Sequence, residues 1–133
     1  MAENLFADAE IIHAYTRAQA IEDGELHDVS TTAKEAGFKI PTAITRAVWL
    51  DCVQWDNDEQ AAYQDESGRL WDVLWMASLA ARRNGGSSIV NFTIVRIPAD
   101  GHSTEPQEVD LMLHIGPGDS AEPVLTIMFP NES

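Results

Sequence analysis

A chain of 133 residues, 44% hydrophobic and with four tryptophans, has the length and composition of one globular domain with a real core and not of a disordered tail. Its 22 Asp and Glu against 8 Lys and Arg give a formal net charge of −14, a field that repels phosphates and attracts basic surfaces. That balance argues against non-specific nucleic-acid binding, which rests on a basic footprint.

The first helix is expected to start at Asp8 as N-cap, with Ile11, Ile12, Tyr15, Ala18 and Ile21 as its apolar stripe and Gly24 as its stop. Glu25 to Val29 reads as extended. Ser30 can cap a short helix, Thr31 to Ala36, ended by Gly37. Pro41 and Thr42 open another helix, with Ile44, Val48, Cys52 and Trp55 on one side. Asp56 to Glu66 is an acidic connection with room for one helical turn around Tyr63. Ser67 then caps a helix whose Leu70, Trp71, Leu74, Trp75 and Ser78 share a face; Arg82 and Arg83 suit its C-terminal end, and Gly85 stops it.

After Gly86 the period becomes two. Val90, Phe92 and Ile94 alternate with Asn91, Thr93 and Val95. Val109, Leu111, Leu113 and Ile115 alternate with Glu108, Asp110, Met112 and His114, and Val124 to Phe129 is a third run. Gly116-Pro117-Gly118-Asp119 suits a type II turn between the last two. The expected fold is a single α+β domain, residues 1–133: about four helices in 1–86, packed on a three-stranded antiparallel meander in 87–133.

Charge is uneven along the chain. Fourteen of the 22 acids lie in residues 1–66. Asp51, Asp56, Asp58, Glu59, Asp65 and Glu66 form a run with no base, and Trp55 and Tyr63 lie within it. Such a run can mimic a line of phosphates and occupy a basic channel, with the aromatics as anchors. These eight residues are the expected partner-binding site. An alternative site is the segment Val29 to Val48, which resembles a helix-turn-helix; Lys39, Thr42, Thr45 and Arg46 would then face DNA.

Other chemistry is thinly marked. WDNDEQAAYQDE lacks the glycine of a calcium-binding EF-hand loop. His13, His27, His102 and His114 have no metal-ligand spacing, so no metal and no cofactor is expected. No G-x-S-x-G elbow or Walker glycine pattern occurs. His27-Asp28, or the loop around His102, could hold a general base, which keeps an uncharacterised small enzyme as a further alternative. Cys52 is alone and suits a core position. The start MAENLFADAE lacks the basic and apolar regions of a signal peptide, and no apolar run approaches the roughly 18 residues of a membrane span, so the cytoplasm is the expected compartment.

Several blocks taken together resemble a known family. They are Tyr15 to Gly24 (YTRAQAIEDG), Thr32 to Phe38 (TAKEAGF), Thr45 to Trp49 (TRAVW), Gly68 to Met76 (GRLWDVLWM), and Gly116 to Asp119 (GPGD) before Glu122-Pro123-Val124. The chain is similar, from roughly Ile11 to its C-terminus, to the bacterial family called domain of unknown function 6573. The resemblance implies a short, acidic, single-domain protein carried on plasmids, phages and other mobile elements. It carries over no catalytic residue. The context it implies is counter-defence, such as inhibition of a restriction or CRISPR complex. The leading expectation is therefore a non-enzymatic inhibitor that shows acidic surface to a basic, nucleic-acid-binding host protein. Its working face is expected on the helical half.

Overall fold

The computed structural model describes residues 15–56, 60 and 62–132. Helix α1, Arg17–Glu22, is capped by Thr16, whose side chain and that of Gln19 form a reciprocal capping box. Tyr15 therefore precedes the helix instead of lying on its stripe. The expected cap at Asp8 lies outside the described residues. Gly24, at φ +82°, turns the chain into strand β1, Leu26–Asp28. Helix α2, Ser30–Glu35, starts one residue earlier than expected because Asp28 accepts the Ser30 N–H at 2.9 Å. The Ser30 hydroxyl is thereby free to accept the Thr42 N–H at 3.0 Å.

The expected helix from Pro41 to Trp55 is the main correction. Thr42–Thr45 is strand β2. Three of its four residues, Thr42, Ile44 and Thr45, are β-branched, and Thr42, Ala43 and Ile44 are all buried. Burial of consecutive residues puts both strand faces under cover, as an interior strand requires. Only after Thr45, which caps α3 (Arg46–Val48) by accepting the Val48 N–H, does the chain coil. It passes at once into a π-helical turn, Trp49–Val53, closed by Gln54 N–H to Trp49 O at 2.8 Å. The wider turn brings Cys52 and Val53, adjacent in sequence, to the core together. Burial pushes the Cys52 thiol up to about 12.

Helix α4, Glu66–Arg83, is the long element that the sequence promised. Its cap is Asp65, which accepts the Gly68 N–H at 2.7 Å, and not Ser67. Its buried line is Val73, Leu74, Ala77 and Ala80, rotated from the expected tryptophan face; Trp75 stays 37% exposed. Small residues let the helix lie close on the sheet, which leaves the indoles at its flanks.

Strands β3 (Ile89–Arg96), β4 (Gln107–Pro117) and β5 (Pro123–Met128) pair antiparallel in sequence order. They are not a separate three-stranded meander. β2 pairs parallel with β5 and antiparallel with β1, giving one mixed sheet in the order β1-β2-β5-β4-β3. Gly116 and Pro117 belong to β4, so the link between β4 and β5 is Gly118 to Glu122, closed by Gly118 N–H to Glu122 O at 2.6 Å. The core lies between one sheet face and α2, α3, the π-turn and α4. Ile44, Leu113, Leu125 and Ile127 from the sheet meet Val48, Val53, Val73 and Leu74 there.

Candidate functional site

The acidic run from Asp51 to Glu66 is largely used in building the fold. Asp51 is half-buried and accepts Arg96 Nε at 2.6 Å. Asp56 accepts Gln54 Nε2 at 3.0 Å, Asp65 caps α4, and Glu66 accepts the Trp55 N–H at 3.3 Å. Trp55 lies under the Arg69 guanidinium, 4.9 Å from its ring centroid. Tyr63 is 85% exposed in an irregular stretch, not in a helical turn. Asp58 and Glu59 lie outside the described residues.

The helix-turn-helix reading fails with its second helix. Thr42 is buried in β2, and Thr45 caps α3 and donates its hydroxyl to Glu132 at 2.8 Å. Arg46 lies 3.9 Å from Glu25. Lys39 borders a shallow apolar groove with Phe38, Ile40 and Pro41. A β-strand cannot present these four side chains on one helical face, so no recognition helix exists here.

The structure assembles a different acidic site, from segments far apart in sequence. Asp119, in the link between β4 and β5, accepts the N–H groups of Arg17 and Ala18 at 2.8 and 3.1 Å. This draws the link onto α1 and lets Arg17 reach β5, donating to Thr126 Oγ1 and Leu125 O, each at 2.7 Å. Burial lowers the Arg17 guanidinium's proton affinity, and Asp28, Asp119 and Glu122 around it work the other way. Glu22, Asp23 and Glu25 project from the end of α1 and the entry to β1, all exposed. Asp28, Asp119 and Glu122 thus act together on Arg17, while Asp23 accepts the Tyr15 hydroxyl at 2.9 Å and Glu25 lies 3.9 Å from Arg46.

At the β1 edge opens a cleft of about 430 Å³ lined by Ile21, Leu26, His27, Asp28, Trp49 and Leu70 among others, with Asp28 as the carboxylate of its lining. His27 stacks flat on Trp49, with ring centroids 4.4 Å apart and planes 1° from parallel. Burial holds the imidazole below its ordinary 6.5, helped by Arg46 and opposed by Glu66. Glu66, one of the expected partner-binding residues, is thus close enough to act on this cleft. The Asp28 carboxylate bonds to Ser30 N–H, so the adjacent pair His27-Asp28 is not an acid-oriented base. His102 is exposed beside Asp100, and His114 folds over Gly116, where a Cβ would lie 2.8 Å from the ring; His13 lies outside the described residues. Among the described residues no three His, Cys, Asp or Glu side chains are grouped to hold a metal.

A largely apolar cleft with the Asp28 carboxylate in its lining suits a long cationic side chain. The methylene stem can cover apolar surface while the charged head meets a carboxylate.

An imidazole held below 6.5 binds fewer protons folded than unfolded. Its contribution to stability is therefore complete above that value and declines as pH falls through it. Denaturant midpoints measured across this window are expected to fall with acid, and His27→Gln to flatten that dependence. An unchanged slope in the variant would contradict the buried, neutral stack.

A family model, the Family of unknown function (DUF6573), matches residues 1–133, the whole chain. The chain belongs to that family. Of the blocks that resemble it, YTRAQAIEDG carries α1 and its acidic end, TRAVW supplies Trp49, and GPGD supplies Asp119. Four of the family blocks contribute to the cleft lining, through Ile21, Thr32, Trp49 and Leu70, and the GPGD block reaches α1 through Asp119. No curated protein and no solved structure matches significantly. No helix among the described residues is long and apolar enough to cross a membrane.

Proposed function

We propose that this member of the family is a non-enzymatic protein-binding module, carried on a mobile element, that inhibits a host nucleic-acid-binding defence complex of the CRISPR or restriction type. Its cleft takes a basic side chain of that complex at Asp28, and the acidic surface of the chain covers the surface meant for phosphates. The observation that carries the reading is that Asp28 both lines the Trp49 cleft and acts, with Asp119 and Glu122, on Arg17, while Glu22, Asp23 and Glu25 are exposed beside Ile21 and Gly24 of the lining. Net charge supports it as well: a −14 chain approaches a basic groove under attraction at long range. The working surface is therefore placed one corner away from the run Asp51 to Glu66, with Glu66 as the shared member.

Capture from a host lysate tests this with matched variants. The combined change Glu22→Gln, Glu25→Gln and Asp28→Asn, which keeps the Asp28 acceptor for Ser30, should remove a salt-labile basic partner. Asp56→Asn with Asp65→Asn, of similar charge change, should retain it. Recovery unaffected by the first set, or lost equally with both, counts against the cleft.

A further inference from the structure

Among the described residues, β3 is an edge strand, and it lacks the usual defences of an edge. Its eight residues, Ile89–Arg96, contain no Pro, Gly, Lys, Asp or Glu; the opposite edge, β1, is only three residues long. The bond from Ile115 N–H to Ser88 O at 2.8 Å sets the alternation of the β3–β4 ladder. Residues 90, 92, 94 and 96 bond to β4, and Ile89, Asn91, Thr93 and Val95 turn their backbone groups outward. Ser87 Oγ covers the Ile89 carbonyl at 2.7 Å. The N–H and C=O of Asn91, Thr93 and Val95 form an exposed ladder.

Apolar surface gathers at the same place. Ile89 is 50% and Val95 59% exposed, and Trp75 and Met76 of α4 are exposed beside them. A groove follows the edge between strand and helix. At one end Asp72, Trp75 and Glu108 line it with Val95; at the other Arg83 and Asn84 line it with Asn91. Its charge thus runs from acidic to basic along β3.

We propose that this edge is a self-association site, at which β3 pairs antiparallel with β3 of a second copy about a twofold axis at Thr93. Antiparallel pairing reverses the groove, so Arg83 of each copy meets Asp72 and Glu108 of the other. A copy of the chain supplies that reversed charge pattern by symmetry. In this register Thr93 faces Thr93 and Asn91 faces Val95, so no like charges oppose each other across the strands. Three residue pairs supply six backbone hydrogen bonds, and the two α4 helices bring Trp75 and Met76 together on the layer above. β3 carries no acid, so this is a surface on which a −14 chain opposes its own copy least.

Sedimentation equilibrium on the full chain tests the proposal. The wild type should reach twice the 14.6 kDa chain mass with rising concentration. Thr93→Lys sets two cations at the axis, and Thr93→Pro removes an outward N–H that the β3–β4 ladder does not use; each should raise the dissociation constant at least about tenfold with unchanged circular dichroism. Arg83→Glu should weaken the dimer and Arg83→Glu with Asp72→Arg should restore it, a rescue that does not depend on how Thr93→Pro folds. A wild type at the chain mass up to its solubility limit overturns the proposal. So does a dimer indifferent to Thr93→Lys and Arg83→Glu, or a monomer whose β3 edge takes only a foreign extended peptide.

Discussion

Arg69→Ala is expected to destabilise the protein by about 3 kcal/mol, on the order of a 10 °C fall in Tm. Arg69 is 4% exposed, and its guanidinium donates to three backbone carbonyls: Val53 at 3.1 Å, Ile97 at 2.8 Å and Asp51 at 3.1 Å. It ties the end of the π-turn and the exit of β3 to the first turns of α4. Truncation leaves those carbonyls without their donor, each at a cost of about 1 kcal/mol, and uncovers Trp55. Arg69→Lys should recover less than about half of the loss, since an ammonium cannot fan to three separated acceptors as a guanidinium does. Urea unfolding of the three proteins checks both values; a loss below about 1 kcal/mol for Arg69→Ala would mean that water replaces the fork freely.

Ile44→Ala should cost about 3 kcal/mol or more, within the range for emptying a fully buried aliphatic site. Ile44 pairs with His27 of β1 on one side and with Ile127 of β5 on the other, in the middle of the sheet. Ile44→Val should cost only about 1 kcal/mol, because it keeps the branched Cβ that a strand accommodates. Equal losses for valine and alanine would contradict the close packing around Ile44.

The elements legible in the sequence were those with one strong period. α4 and β3 follow their apolar spacing because each buries one face, and β4 and β5, buried on both faces at their centres, stand out as long apolar runs. β2 was misread because Ile44, Val48, Cys52 and Trp55 keep a helical interval across a strand, a cap and a π-turn. A four-residue strand buried on both sides shows no alternation to set against that interval. The parallel pairing of β2 with β5 was out of reach for the same reason, since nothing local in either strand names the other. Acidity was visible as a total and as a run, but the run was weighed by proximity in sequence. What gathers carboxylates around Arg17 is Asp119 reaching α1 across 102 positions, and no spacing rule anticipates that contact. Trp49 and His27 stood in plain view, yet their stacking depends on β1 and the π-turn lying side by side.

In the proposed complex the cleft beside Trp49 receives a basic side chain at Asp28. The most direct test is an amide and indole NMR titration of the full chain with a short arginine-containing peptide, at low and at physiological salt. Shifts should concentrate on Trp49, His27, Leu26 and Asp28, weaken as salt rises, and vanish in the Glu22→Gln, Glu25→Gln, Asp28→Asn variant. Shifts spread over every acidic segment alike, or centred on Asp56 to Asp65 with Trp49 unmoved, would contradict it.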